Sequence, residues 1–191
     1  PQQLLLRGRR VVTADLRDAG DRRAVLELVG AADVALEGFR PGVIERLELG
    51  PDVLHEFNPA LVLARSSGWG RQGPRRADPG HEINFLGLAG LSPWLGRGDD
   101  RPVVAPGFIG DLGGGGMMLA LGVLAALRVA EQTGRGQVVD ISILSASAAL
   151  GVAAWEVRSA GDLATAIATG GAPFYDYYQC RDGRFVAVGA I

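Results

Sequence analysis

The feature that most constrains this chain is its alternation of short β-rich runs with amphipathic helical ones. Residues 9–16, "RRVVTADL", read as a strand. Residues 18–32, "DAGDRRAVLELVGAA", place Val25, Leu26, Leu28 and Val29 at helical spacing, with Asp18 ahead of them as a candidate cap. Residues 33–39, "DVALEGF", read as a second strand ended by "RPG". Strand, helix and strand within about thirty residues form a βαβ unit, so a parallel sheet and the α/β class are predicted.

The pattern continues downstream. Residues 50–60 predict a short helix with Pro51 in its first turn. Residues 61–68, "LVLARSSG", predict a buried strand, and residues 69–80, "WGRQGPRRADPG", a loop. Helices are expected over 81–91 and 110–134, with irregular chain between them. A strand begins at 137–144 and leads into a helix at 145–157. "GDLATAIATGGAP" reads as a linker, and "FYDYYQCRDGRFVAVGAI" as a hairpin around an Asp-Gly turn. The domain expectation is residues 1–143 as the central part of a large domain, 144–174 as linker, and 175–191 as the start of a small domain. The chain opens without Met and closes inside an apolar strand, which suggests a piece cut at both ends.

Composition excludes more than it assigns. The net charge is -2, which gives no electrostatic case for nucleic acid. Hydrophobic residues make up 48%, enough to build a core rather than a disordered chain. The single cysteine, Cys180, rules out an internal disulfide and fits a reducing compartment. The nearest approach to a membrane span, "GGGGMMLALGVLAALRVAEQ", is Gly-rich at its start and charged at its end, so no membrane is expected. There is no Walker A pattern, no GxGxxG ahead of a helix, no GxSxG elbow and no metal-ligand spacing. All 19 basic residues are arginines, so any anion site must use guanidinium groups. Arg7, Arg9, Arg10, Arg17, Arg40 and Arg46 bracket the first strand-helix-strand unit, where an open α/β sheet would bind a nucleotide's phosphates. A solvated basic face balanced by Asp15, Asp18, Asp21 and Glu27 is the other reading.

Two stretches carry titratable groups in unusual settings. Asp111 precedes four consecutive glycines, Gly113–Gly116, at the head of the long helix. Glycine costs about 1 kcal/mol in a helix interior. One reading is an open helix N-terminus whose amides stabilise a developing enolate; the other is an ordinary N-cap with glycines for close packing. His81 follows "ADPG" and heads an apolar helix, as a general base would, or as a capping or core histidine would. His55 receives no role.

Taken in order, "ADVALEGFRPGVIERLELGPDVL", "LVLARSSGWGRQGP", "GHEINFLGLAGL", "GDLGGGGMM", "GRGQVVDISIL" and "GGAPFYDYYQCRDGRFVAVGAI" resemble the family III CoA-transferases, the CaiB/BaiF group, over nearly the whole chain. Within that group the "GHEINF" box resembles the racemase branch acting on alpha-methylacyl-CoA. The resemblance implies the Rossmann-like large domain of that fold, incomplete here at both ends. It implies racemisation of 2-methyl-branched acyl-CoA thioesters, with His81 and Asp111 exchanging the alpha proton through an enolate held by amides of the Gly-rich helix. It implies Arg17 and Arg46, and less directly Arg7 and Arg40, as CoA contacts, with Gly80, Glu82, Ile83, Asn84 and Phe85 lining the thioester and pantetheine end. No metal or redox cofactor is implied, CoA being part of the substrate. The partner is the acyl-CoA thioester, with neither nucleic acid nor membrane, in a cytoplasmic protein that forms an interlocked homodimer when full length. Two alternatives stay open: a CoA-transferase using Asp111 as nucleophile, and an inactive CoA-binding fragment. The chain departs from the family at Phe85, where Tyr is usual, and at Leu112, where Phe is common. The family's glutamate partner of the histidine falls just past Ile191.

Overall fold

The computed structural model describes residues 6–96 and 101–190, without the side chains of residues 162–164. The opening residues 1–5, part of the irregular stretch at 97–100, and the last residue of the expected terminal strand lie outside the described residues.

Helix α1, Ala19–Gly30, begins where expected, because the Asp18 side chain accepts a hydrogen bond from the Asp21 amide at 3.0 Å. Strand β1 follows at Val34–Glu37, then the one-turn helix α2 at Val43–Arg46, helix α3 at Pro51–Phe57 and strand β2 at Val62–Ser67. Pro51 sits at the start of α3, where its missing N–H costs nothing. After a long loop come helix α4, Glu82–Leu88, and a continuous helical run that is π-wound over Phe108–Gly116 and becomes helix α5 over Met117–Thr133. Strand β3, Val138–Ser142, leads into helices α6, Ile143–Leu150, α7, Val152–Ser159, and α8, Asp162–Thr169. The last of these falls in the stretch that reads as linker. Strands β4, Tyr175–Gln179, and β5, Phe185–Gly189, pair antiparallel as the hairpin, with Tyr177 opposite Ala187.

The protein is α/β, with a parallel three-stranded sheet in the order β1-β2-β3. Residues 9–16 are not a strand. Val11 and Val12 have the right propensity but stay exposed, and no described residue offers them a ladder. A strand needs a neighbour to satisfy its N–H and C=O groups, which propensity cannot supply. The parallel sheet is therefore built one strand later than the sequence pattern suggests.

By its contacts the chain divides into two compact units, Pro1–Ala64 with Val123–Val139, and Arg65–Gly122 with Asp140–Ile191. In the first, Val29, Ile44, Leu49, Leu54, Leu61 and Leu63 form one buried cluster. Val62 packs from the opposite face on Ala126 and Ala130 of α5, as period-two alternation in a doubly covered strand demands. The run Phe108–Thr133 is long and apolar enough, by length and composition, to cross a membrane; along it Leu119, Ala126 and Ala130 are buried, while Met117, Leu121 and Leu124 are exposed. His55, without a role from sequence, bonds through Nε2 to the Leu61 carbonyl at 3.0 Å. Asn58 closes the end of α1 by donating to the carbonyls of Val29 and Ala32 at 3.0 and 2.8 Å. Gly136 admits no side chain, since a Cβ there would lie 1.8 Å from the Leu61 carbonyl oxygen. In the second unit, Leu86, Ala89 and Leu91 of the α4 region are buried against Ile109, Leu144, Ala148 and Ala154.

Candidate active site

The site in the second unit is built from the N-terminus of α4 and the π-wound turn that opens the long helix. His81 is the N-cap of α4, with extended backbone. Its amide donates to Oδ1 of Asn84 at 3.0 Å, which fixes the entry to the helix in the manner of a capping box. His81 is exposed, as are Ile83 and Asn84. Phe85 faces the other way, only 3% exposed, and meets the edge of Trp69 with ring centroids 4.8 Å apart. Gly80 leaves room for both rings, because a Cβ there would come within 2.8 Å of each.

The first residue of α4, Glu82, is the unexpected element. It is 6% exposed. Its Oε2 accepts from the Gly107 amide at 2.6 Å, and its Oε1 from the Gly110 amide at 2.6 Å and the Asp111 amide at 3.4 Å. An anion satisfied by several backbone donors at a helix start is a favourable arrangement, since the orphan amides and the dipole both attract negative charge. The consequence corrects one expectation. The amides of Gly107, Gly110 and Asp111 hold Glu82, and none of the three is open to an enolate oxygen.

The same bonds tether His81 to Asp111 through one residue. Asp111 is exposed, yet its Oδ2 folds back to within 4.0 Å of where a Gly107 Cβ would stand. Desolvation at that inner side raises its pKa above the usual carboxylate value, and the negative charge of Glu82 raises it further; the His81 charge pulls the other way. The Asp111 carboxyl feels the His81 charge, and both residues are reachable from solvent, as groups that exchange protons with a substrate must be. Behind them α6 presses on the π-wound turn. Ser147 is fully buried with an unpaired hydroxyl, and the Cβ position of Gly114 lies only 3.1 Å from its amide nitrogen.

Arg7, Arg17, Arg40 and Arg46 all lie in the first unit and are exposed. Arg17 is held in a fork by Asp15, with bonds of 2.9 and 3.0 Å. The loop carrying it is pinned by Arg22, which donates to the carbonyls of Leu16 and Arg17 and to Glu48. Among the described residues no three His, Cys, Asp or Glu side chains gather into a metal-sized group.

The model of CoA-transferase family III matches residues 2–191. The chain belongs to this family. It is 40% identical to the alpha-methylacyl-CoA racemase of Mus musculus over 194 residues, which is 100% of this chain and 51% of that protein. It is 35% identical to the acetyl-CoA:oxalate CoA-transferase of Acetobacter aceti over 184 residues, 94% of this chain and 47% of that one. A CaiB/BaiF family protein from Brucella suis shares the fold, with a TM-score of 0.74 at 27% identity over 81% of this chain and 41% of that chain. The chain thus spans about half the length of the curated relatives it matches.

What the sequence missed is the role of Glu82. It was expected only among residues lining the thioester end. An acid in a first helical turn is so common a complement to the dipole that it signals nothing by itself. The three amides it holds belong to residues 25, 28 and 29 positions further along the chain.

Proposed function

We propose that the protein racemises 2-methyl-branched acyl-CoA thioesters by a two-base mechanism. One of His81 and Asp111 removes the proton from C2, and the bonding pair moves into the thioester carbonyl to give a planar enolate. The other group, in its acid form, delivers a proton to the opposite face as the carbonyl re-forms, so that the configuration inverts and no atom is gained or lost. Arg17 and Arg46, with Arg7 and Arg40, bind the phosphates and adenine of CoA. The reading extends to a cytoplasmic homodimer acting on soluble acyl-CoA, with no metal or redox cofactor needed for the proton transfers. What supports it most is the coupling of the two acid/base groups: their backbones are joined through Glu82, and the His81 charge acts on the Asp111 carboxyl.

The test is exchange of the C2 hydrogen of a 2-methylacyl-CoA in deuterated water, with no acceptor acid present. The wild-type protein exchanges it. His81→Ala and Asp111→Ala each lower the rate by roughly 10²–10⁴-fold, the range of general acid–base catalysis, with CoA affinity retained. Full exchange in either variant ends the two-base reading. Absence of exchange in the wild type, together with a covalent adduct on Asp111 when a free acid is supplied, establishes CoA transfer instead, the activity named for the Acetobacter relative.

A further inference from the structure

The buried Glu82 carboxylate lies under the residue proposed to exchange protons with substrate, but it cannot itself reach a ligand. It is 6% exposed and both its oxygens are engaged, Oε2 by Gly107 and Oε1 by Gly110 and Asp111. A cap alone would need no such depth, because Ser, Thr, Asp or Asn at the helix start serves that purpose. Here an acid from one helix is driven into the first turn of another, at a spot where a Gly110 Cβ would stand 2.9 Å from its Cγ. Among the described residues the elements packed most closely on the π-wound turn are α4 and α6. Helix α6 carries no titratable side chain, and α4 with its cap carries only His81 and Glu82. Those two are therefore the charges that face Asp111 from the packed elements.

We propose that Glu82 is a positioning residue for Asp111, locking the Gly107–Asp111 turn with its carboxylate and keeping a fixed negative charge beside the proton-exchanging carboxyl. The assignment rests on the two-base reading for what the charge is used for, while the clamp and its field stand without it. When Asp111 takes the proton from C2 it becomes neutral, and its repulsion with Glu82 disappears. Abstraction is thereby favoured, and Asp111 is drawn towards the pH at which it can both accept and return a proton. The upward shift of the Asp111 carboxyl, to which Glu82 contributes behind burial, has the sign this requires. The lock also limits the freedom of the carboxyl, and a displacement of about 1 Å at such a group costs on the order of 10²-fold in rate.

The experiment compares the intact wild-type protein with Glu82→Gln and Glu82→Asp. The carboxyl carbon of Asp111 is titrated by NMR without ligand, and amide exchange is followed at Gly107 and Gly110. Glu82→Gln, which removes the charge at nearly constant shape, lowers the Asp111 midpoint and moves the acid limb of the proton-exchange pH profile the same way. Glu82→Asp keeps the charge but withdraws it by one methylene, so the midpoint stays raised while the two amides lose protection. An unmoved Asp111 midpoint in folded Glu82→Gln overturns the proposal. If that variant does not fold, the wild type decides: both amides are protected when the clamp exists, and exchange at unstructured rates refutes it. Failure of the two-base reading looks different, as no C2 exchange in the wild type while the Asp111 midpoint still responds to Glu82.

Discussion

Gly110→Ala and Gly116→Ala lie six residues apart in one glycine-rich turn, and the structure gives them opposite signs. At Gly110 an added Cβ would be 2.9 Å from Cγ of Glu82, 3.3 Å from its Oε1 and 3.3 Å from the Ser147 hydroxyl. Glu82 cannot yield cheaply, because both its oxygens are bonded to amides at 2.6 Å. Ser147, fully buried on α6, has nowhere to retreat. The substitution overfills a closed site and costs about 1–3 kcal/mol. At Gly116 the nearest atom is the Asp111 carbonyl oxygen at 3.5 Å, an ordinary contact, and the residue is exposed. There the alanine relieves backbone entropy and stabilises by roughly 0.5–1 kcal/mol. In a chain of 191 residues each kcal/mol moves Tm by about 2–4 °C. Urea denaturation followed by circular dichroism, with m held common, reads both changes. Equal shifts in one direction would refute the argument that Glu82 and Ser147 close the space at Gly110 and leave Gly116 open.

Three other outcomes follow from the same geometry. Ser147→Ala removes a buried, unpaired hydroxyl from a helix and raises stability by about 1 kcal/mol or more, an unpaired buried donor costing about 1–3 kcal/mol; a lower denaturation midpoint in the variant counts against the packing described. Asp111 holds its proton more tightly folded than unfolded, so the folded state binds more protons between the two pKa values, and stability falls as pH rises through that window. Asp111→Asn abolishes that slope, becoming more stable than wild type above the window and equal to it below, as denaturation at a series of pH values measures. Arg46→Ala weakens CoA binding by about 1–3 kcal/mol, the range for hydrogen bonds to charged groups; calorimetry showing unchanged affinity removes Arg46 from the site.

Much of the framework was legible residue by residue. Asp18 caps α1, Pro51 opens α3, and the Asp-Gly pair turns the β4–β5 hairpin, because each is a local rule satisfied by neighbours in sequence. His81 and Asp111 could be singled out as titratable groups, each with a capping or packing reading beside the functional one, and the structure places His81 as the N-cap of α4. The strand expected at 9–16 failed for the complementary reason. Val11 and Val12 meet the local preference, and the partner that would make them a strand is not among the described residues.

Local chemistry thus determined the α/β class and the helix ends, since periodicity and capping act over a few residues. Only the tertiary structure decided what surrounds His81 and Asp111. The π-wound turn, the burial of Glu82 and its capture of three amides, and the charge that Asp111 consequently feels all depend on residues 82 and 107–111 meeting in space. Desolvation and Coulomb interaction are set by distance and surroundings, and neither has a counterpart in the order of residues along the chain.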